Sequence, residues 1–427
     1  MRARYHILSL ITILVLVSAC TNSNSEKEES KQMRMTAKEI LANPDYQAIS
    51  YGGYRTSSRD NQPTIEQLKE DMYILHAMGI RMLRTYNVHL PHATNLLEAI
   101  KQIQQDDASF EMYLMLGAWI DCKYAWTDKE PDHNQESERN EEEIAKAVEL
   151  ALKYPEIVKV IAVGNEAMVK WAASYYVQPS VILKWVNHLQ GLKASGTLPQ
   201  DLWITSSDDF SSWGGGSDEY HVEDLNELIG AVDFISMHTY PMHNTHYNPE
   251  FWGVLAEEKT LSKKEQIANA MRRSLEFAKN QYDSVKSYMT SLGIDKPIHI
   301  GETGWASVDN HLYGTEGSRA TDEYKAGLFH QLMRDWTDSE NVSCFFFEAF
   351  DEPWKDSQNP IGSENHFGLF TKEGQAKYAL WPLVDNETFT GLTRAGNLIS
   401  KTYNGSLDSL LKEVDLPPLK EELMISD

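Results

Sequence analysis

Two glutamates stand where short apolar runs end, in widely separated parts of the chain: Glu166 in VGNEAM (Val163–Met168) and Glu302 in IGETGW (Ile300–Trp305). If each run is a strand of a parallel barrel, both carboxyls arrive at its C-terminal face. A pair held about 5–5.5 Å apart can cleave a glycosidic bond with retention, one carboxylic acid protonating the departing oxygen while the other, as carboxylate, attacks the anomeric carbon. Asn165 offers an amide suited to a sugar 2-hydroxyl beside Glu166, which fits the general acid/base place. Glu302 lies between Gly301 and Gly304, with room for a ring close to the backbone, and the hydroxyl of Tyr240 could bond its carboxylate. That fits the nucleophile.

The elements that must position them are legible as short apolar runs alternating with longer amphipathic stretches, the pattern of βα units. Strands are expected at Ala48–Tyr54, Arg81–Tyr86, Met112–Trp119, Val158–Asn165, Leu202–Ser207, Asp233–Thr239, Ile298–Glu302 and Ser343–Phe350. Helices are expected at Thr64–Met78, Ala93–Gln104, Glu141–Lys153, Pro179–Leu192, Lys263–Ser291 and Thr321–Asp335, several opened by a residue suited to a first turn. Eight such strands predict an α/β fold of the closed (β/α)8 TIM-barrel type. No glycine-rich phosphate loop follows the first strand.

Seven of the eleven tryptophans fall in the segments after these strands: Trp119, Trp126, Trp171, Trp213, Trp252, Trp305 and Trp354. Flat rings on one face suit the C–H faces of pyranoses, and as a group they predict a carbohydrate cleft, with Trp171 and Trp305 closest to the glutamates. The loops Asp121–Glu138, Phe210–His221 and His243–Lys259 are long enough to form its walls.

In the 427-residue chain, 39 basic residues stand against 63 acidic ones, a formal charge of −24, which argues against nucleic acid as a partner. Three cysteines imply no disulfide framework. The fourteen histidines include no HExxH and no cluster at metal spacing, so no metal or cofactor is expected; His238 and His299, inside strand patterns, read as structural.

Arg2, Arg4 and the apolar run Ile7–Val17 form a signal peptide too short to span a bilayer as a mature helix. Its end, LVSAC, resembles a bacterial lipobox, which makes Cys20 the expected lipidated N-terminus; an ordinary cleaved signal with an incidental cysteine is the alternative. The polar Thr21–Arg34 stretch reads as a tether. The expected organisation is a signal over 1–19, a lipidated N-terminus and linker over 20–44, a barrel over 45–382 and a packed extension over 383–427. That places the protein outside the cytoplasm, at the outer membrane, touching membrane through its lipid alone. Oligomeric state is left open.

Taken in order, RTYN (Arg84–Asn87), VGNE (Val163–Glu166), HTYP (His238–Pro241), GETGWAS (Gly301–Ser307), FEAFDEPWK (Phe347–Lys355) and HFGLF (His366–Phe370) resemble glycoside hydrolase family 17 over most of the chain. The resemblance implies retaining β-1,3-glucan chemistry, with Glu166 as acid/base and Glu302 as nucleophile. It further implies that Glu352, Lys355 and Glu364 surround the pair and that Tyr86 and Tyr240 are cleft tyrosines. Three functions fit: an endo-acting β-1,3-glucanase, a β-1,3-glucan transglycosylase, and an inactive glucan-binding lipoprotein.

Overall fold

A computed structural model of the chain describes residues 35–423. Cys20 and the signal segment lie outside the described residues.

Eight parallel strands close into a barrel: β1 Gln47–Ser50, β2 Ile80–Arg84, β3 Tyr113–Ala118, β4 Val158–Asn165, β5 Trp203–Asp209, β6 Ile235–His238, β7 Ile298–Gly304 and β8 Cys344–Phe347. Each strand pairs with its sequence neighbours, and β1 closes on β8. The fold is a (β/α)8 barrel. Seven of its helices are α1 Ile65–Ala77, α2 Pro91–Asp106, α3 Arg139–Lys153, α4 Pro179–Ala194, α5 Glu223–Ala231, α6 Lys263–Ser291 and α7 Glu323–Ser339; the short Trp381–Asp385 turn follows β8. Local chemistry explains their starts. Thr64 with Gln67 and Ser262 with Glu265 form capping boxes, Asp322 caps α7, and Pro91 and Pro179 occupy first-turn positions that need no N–H.

Inside the barrel the lower layer is apolar, from Ala48, Met82, Met115, Val160, Ala162, Phe234 and Phe345. Residues 36–44 were expected to belong to the linker. Instead Thr36 caps a helix, Ala37–Leu41, whose Ile40 and Leu41 join that layer, because its apolar residues gain more from burial than from water. Toward the C-terminal ends the interior turns polar, with Ser207, Ser236 and His238 bonded in series.

The segment after Trp381–Asp385 contacts the barrel helices. A hairpin, Thr393–Arg394 with Asn397–Leu398, sends Arg394 to Asp71 on α1, and the Leu407–Lys412 helix buries Leu410.

Candidate active site

At the end of β4 the register against β5 shifts between Ala162 and Asn165, and both Gly164 (φ +82°) and Glu166 (φ +46°) are left-handed. Successive strand residues normally face opposite ways, so this irregularity lets Asn165 line the cleft while Glu166 approaches Glu302. Asn165 Oδ1 accepts from Arg84 Nη2 at 2.5 Å, and Asn165 lines the cleft, where its amide nitrogen bonds none of the described residues.

Glu302 on β7 is the most heavily bonded acid there. Oε2 accepts from Arg84 Nη1 (2.5 Å) and the Tyr86 hydroxyl (2.6 Å); Oε1 accepts from the Tyr240 hydroxyl (2.7 Å). Glu166 Oε1 sits 3.0 Å from His238 Nδ1, whose Nε2 is 2.8 Å from Ser207 Oγ. One donor atom each from Glu166, His238 and Glu302 lies within 4.8 Å of the others. The Arg84 guanidinium already supplies a cation to this cluster, and the oxygens of Glu302 are all engaged.

The two acids are driven apart electrostatically. Burial raises both, but for Glu302 it is outweighed by Arg84 and the two tyrosine hydroxyls, and the carboxyl is pulled down to about 2. Among the described residues Glu166 is bonded by no arginine or tyrosine, only approached by His238. Burial, then the charge of Glu302, holds it well above the ordinary carboxylate range. His238, pushed down to about 4 chiefly by burial, is neutral near pH 7, so the working cation is Arg84. The environments thus push the two carboxyls in opposite directions, Glu302 toward the ionised form of a nucleophile and Glu166 toward the protonated form of an acid.

Of the other expected residues, Tyr86 and Tyr240 touch Glu302, and Lys355 sits 3.3 Å from Glu348, 3.9 Å from Glu352, and over the Phe347 ring at 3.8 Å. Glu352 is buried, lines the same cavity as Glu302, and accepts from Tyr54 N and Trp354 Nε1, both at 2.9 Å, so it holds Trp354 in place. Glu364 is exposed, close enough for its charge to bear on Glu166 and Lys355. Arg84 and His238 were not singled out as functional. An arginine within the apolar MLRTY and a histidine beside TYP were the available signals, since a buried charge at a strand end needs a partner.

Three expectations are corrected. Trp305 is only 1% exposed, packs on Trp252 and Phe329, and donates its N–H to Ala320 O, so it cannot offer a face to a sugar. Trp213 and Trp252 are likewise buried, whereas Trp126 (60%) and Trp171 (63%) are open. Gly301 makes room for the barrel interior and not for a substrate, because a Cβ there would lie 2.1 Å from Ser236 Oγ; at Gly304 it would lie 2.3 Å from Phe347 O on the adjacent strand. The segment after β5 turns down onto α6, where a Cβ on Gly214 would strike Tyr288, and is not a free-standing wall there. The expected loop after β3 does border the cleft: it carries Trp126 on a small hairpin, Cys122–Lys123 with Asp132–Glu136. A cavity of about 880 Å³ runs from Glu302 and Asn165 past Tyr54, Trp354, Trp119 and Trp126.

A closed (β/α)8 barrel with such a carboxylate pair at the ends of β4 and β7 is a glycoside hydrolase architecture. A profile of the BtgE/BtgC glycoside hydrolase domain matches residues 48–368, and the chain belongs to that family. An endo-laminarinase from Formosa Hel1_33_131 is similar at 65% identity, with a TM-score of 0.90 over 90% of this chain and 98% of that one. A glucan endo-1,3-β-glucosidase, btgC, of Emericella nidulans is 23% identical over 347 residues, 78% of this chain and 45% of its own length. A glucan 1,3-β-glucosidase of Schizosaccharomyces pombe is 24% identical over 224 residues, 52% of this chain and 57% of its own length. The chain thus spans about half the length of these curated relatives. An active-site mutant of a Rhizomucor miehei β-1,3-glucanosyltransferase in complex with laminaritriose, 19% identical with a TM-score of 0.53 over 78% of this chain and 96% of that one, shares the fold.

Proposed function

We propose that this chain is an endo-acting hydrolase of β-1,3-linked, laminarin-like glucan that works by retaining double displacement. The observation that carries the reading is the approach of the two carboxyls, with an oxygen of Glu166 within 4.8 Å of one of Glu302, where Arg84 and two tyrosine hydroxyls bond Glu302 and burial raises Glu166. So close an approach favours the roughly 5–5.5 Å spacing of retaining enzymes over the about 6.5–9.5 Å that leaves room for an inverting enzyme's water. Glu302 attacks the anomeric carbon while Glu166 protonates the leaving oxygen; Glu166 then deprotonates the water that releases the glycosyl enzyme. Arg84 and the two tyrosines hold Glu302 as an oriented carboxylate, and the amide of Asn165 is directed to the sugar 2-hydroxyl. The similarity to an endo-laminarinase supports the glucan class, and a cleft continuing well past Glu302 supports internal cutting.

The test is chemical rescue with product analysis on a linear β-1,3-oligosaccharide. Azide should give the α-azide with Glu302→Ala and the β-azide with Glu166→Ala; the reverse pattern would exchange the roles. The unmodified enzyme should give only products shorter than the substrate, and longer ones would point to glycosyl transfer. The lipobox-like LVSAC further supports an enzyme anchored outside the cytoplasm through Cys20. Cys20→Ser should then leave the membrane fraction with its activity intact, and equal retention would count against the anchor.

A further inference from the structure

Glu166 holds a backbone conformation that L-residues adopt against a steric penalty, whereas left-handed Gly164 bears none. The strain therefore falls on the residue that carries the acid, and the surrounding chain must hold it there. Three hydrogen bonds do so: Glu166 N to Ser207 O (3.0 Å), Val177 N to Ala167 O (2.7 Å) and Met168 N to Asp208 Oδ2 (2.7 Å). The first two join backbone to backbone and survive any side-chain change. The third depends on one carboxyl.

Asp208 is fully buried on β5. Its neighbour Ser207 faces the barrel interior with Ser236 and His238, so Asp208, by strand alternation, faces the opposite way, toward the chain leaving β4. Its second oxygen accepts from Asp209 N at 2.9 Å. The carboxyl thus ties the end of β5 to the loop that follows the acid.

We infer that Asp208 is a positioning residue for Glu166, its grip on the Met168 N–H keeping Glu166 in the left-handed turn that aims its carboxyl at His238 and the leaving oxygen. The inference rests on the acid/base assignment proposed above. Without the grip, Glu166 can relax toward an ordinary backbone region and turn its carboxyl away, while Glu302 stays fixed by Arg84, Tyr86 and Tyr240. Such a loss has a signature. A sugar leaving group needs protonation; an acidic phenol hardly does.

The experiment compares kcat/KM for a β-1,3-oligosaccharide and for a 2,4-dinitrophenyl β-laminaribioside, a ratio that reports the glycosylation step in both. Asp208→Ala should lose about 100-fold on the oligosaccharide, the lower range for general acid catalysis, and under about threefold on the activated glycoside. Asp208→Asn, which keeps one acceptor oxygen, should fall between, and it carries the comparison should the alanine variant fail to fold. Equal losses on both substrates, or none, would overturn the inference. Glu166→Ala is measured alongside. If it shows the leaving-group contrast and the Asp208 variants do not, only the positioning role falls; if it shows no contrast, the acid/base assignment falls and the positioning role with it.

Discussion

One guanidinium, shared unequally, separates the two acids. Arg84 bonds Glu302 directly and reaches Glu166 only through space, so it stabilises the charge of the first and leaves the second to burial and to the repulsion of Glu302. The active form needs Glu302 ionised and Glu166 protonated. Ionised Glu302 is lost only as pH falls toward about 2; protonated Glu166 is lost as pH rises through its elevated pKa. The expected profile of kcat/KM therefore stays flat through the ordinary carboxylate range, with its decline on the alkaline side. Because the groups interact, the two limbs belong to the pair. Glu166→Gln assayed on an activated aryl glycoside should keep the acid limb and lose the alkaline one. An acid limb near 4–5 in the unmodified enzyme would show that Arg84 does not govern Glu302 as the geometry requires.

Strands and loops differ in how much of them the sequence makes legible, for a physical reason. A buried parallel strand reads as a nearly continuous apolar run, and β4 appears with its expected bounds because VKVIAVG is buried throughout, on one face by the barrel interior and on the other by the outer core, with Lys159 its one charge. A tryptophan after a strand carries no such pattern; whether it packs or faces solvent depends on which distant segment covers it. Trp305 is covered by Trp252 and Phe329, whereas Trp171 stays 63% exposed among the described residues. Likewise the glycines beside Glu302 are legible as small, but not which neighbour, Ser236 or a sugar, requires them to be small. Trp305→Ala should thus cost about 3–5 kcal/mol of stability, the range for deleting a buried aromatic. Trp171→Ala should leave the unfolding midpoint within error and raise KM for long glucan roughly threefold to tenfold, as expected for one lost stacking contact of about 0.5–1.5 kcal/mol. Denaturant melts beside kinetics on both variants decide this, and a destabilised Trp171→Ala with unchanged KM would return that residue to the packing class.

At the scale of the molecule, the segment beyond Pro382 follows the family match and closes the outside of the barrel near β1 and α1. Its apolar spacing was legible as a packed tail, but its purpose depended on a contact between Arg394 and Asp71 that no local pattern encodes. Asp71 is fully buried and accepts from the Tyr51 hydroxyl (3.0 Å), Arg55 Nη2 (2.8 Å) and Arg394 Nε (2.9 Å), while Arg394 also stacks over Phe350 at 3.8 Å. Tyr51 in turn lines the cavity, so the tail braces the cleft from behind. Breaking a buried ion pair from one side typically costs about 3–5 kcal/mol because a charge is left uncompensated. Arg55 remains with Asp71, which places Arg394→Met at the lower end, near about 3 kcal/mol. Asp71→Asn combined with Arg394→Met should recover part of that loss, since the buried carboxylate left with one cation is gone and Arg55 keeps Glu70. Because Arg84, Tyr86 and Tyr240 hold Glu302 independently of this clasp, kcat/KM at a temperature where the variants are folded should stay within a few-fold. Chemical denaturation of the single and double variants measures the first claim and glucan kinetics the second; a double variant no more stable than Arg394→Met alone would show that lost packing on Phe350, not the uncompensated carboxylate, is what the tail contributes.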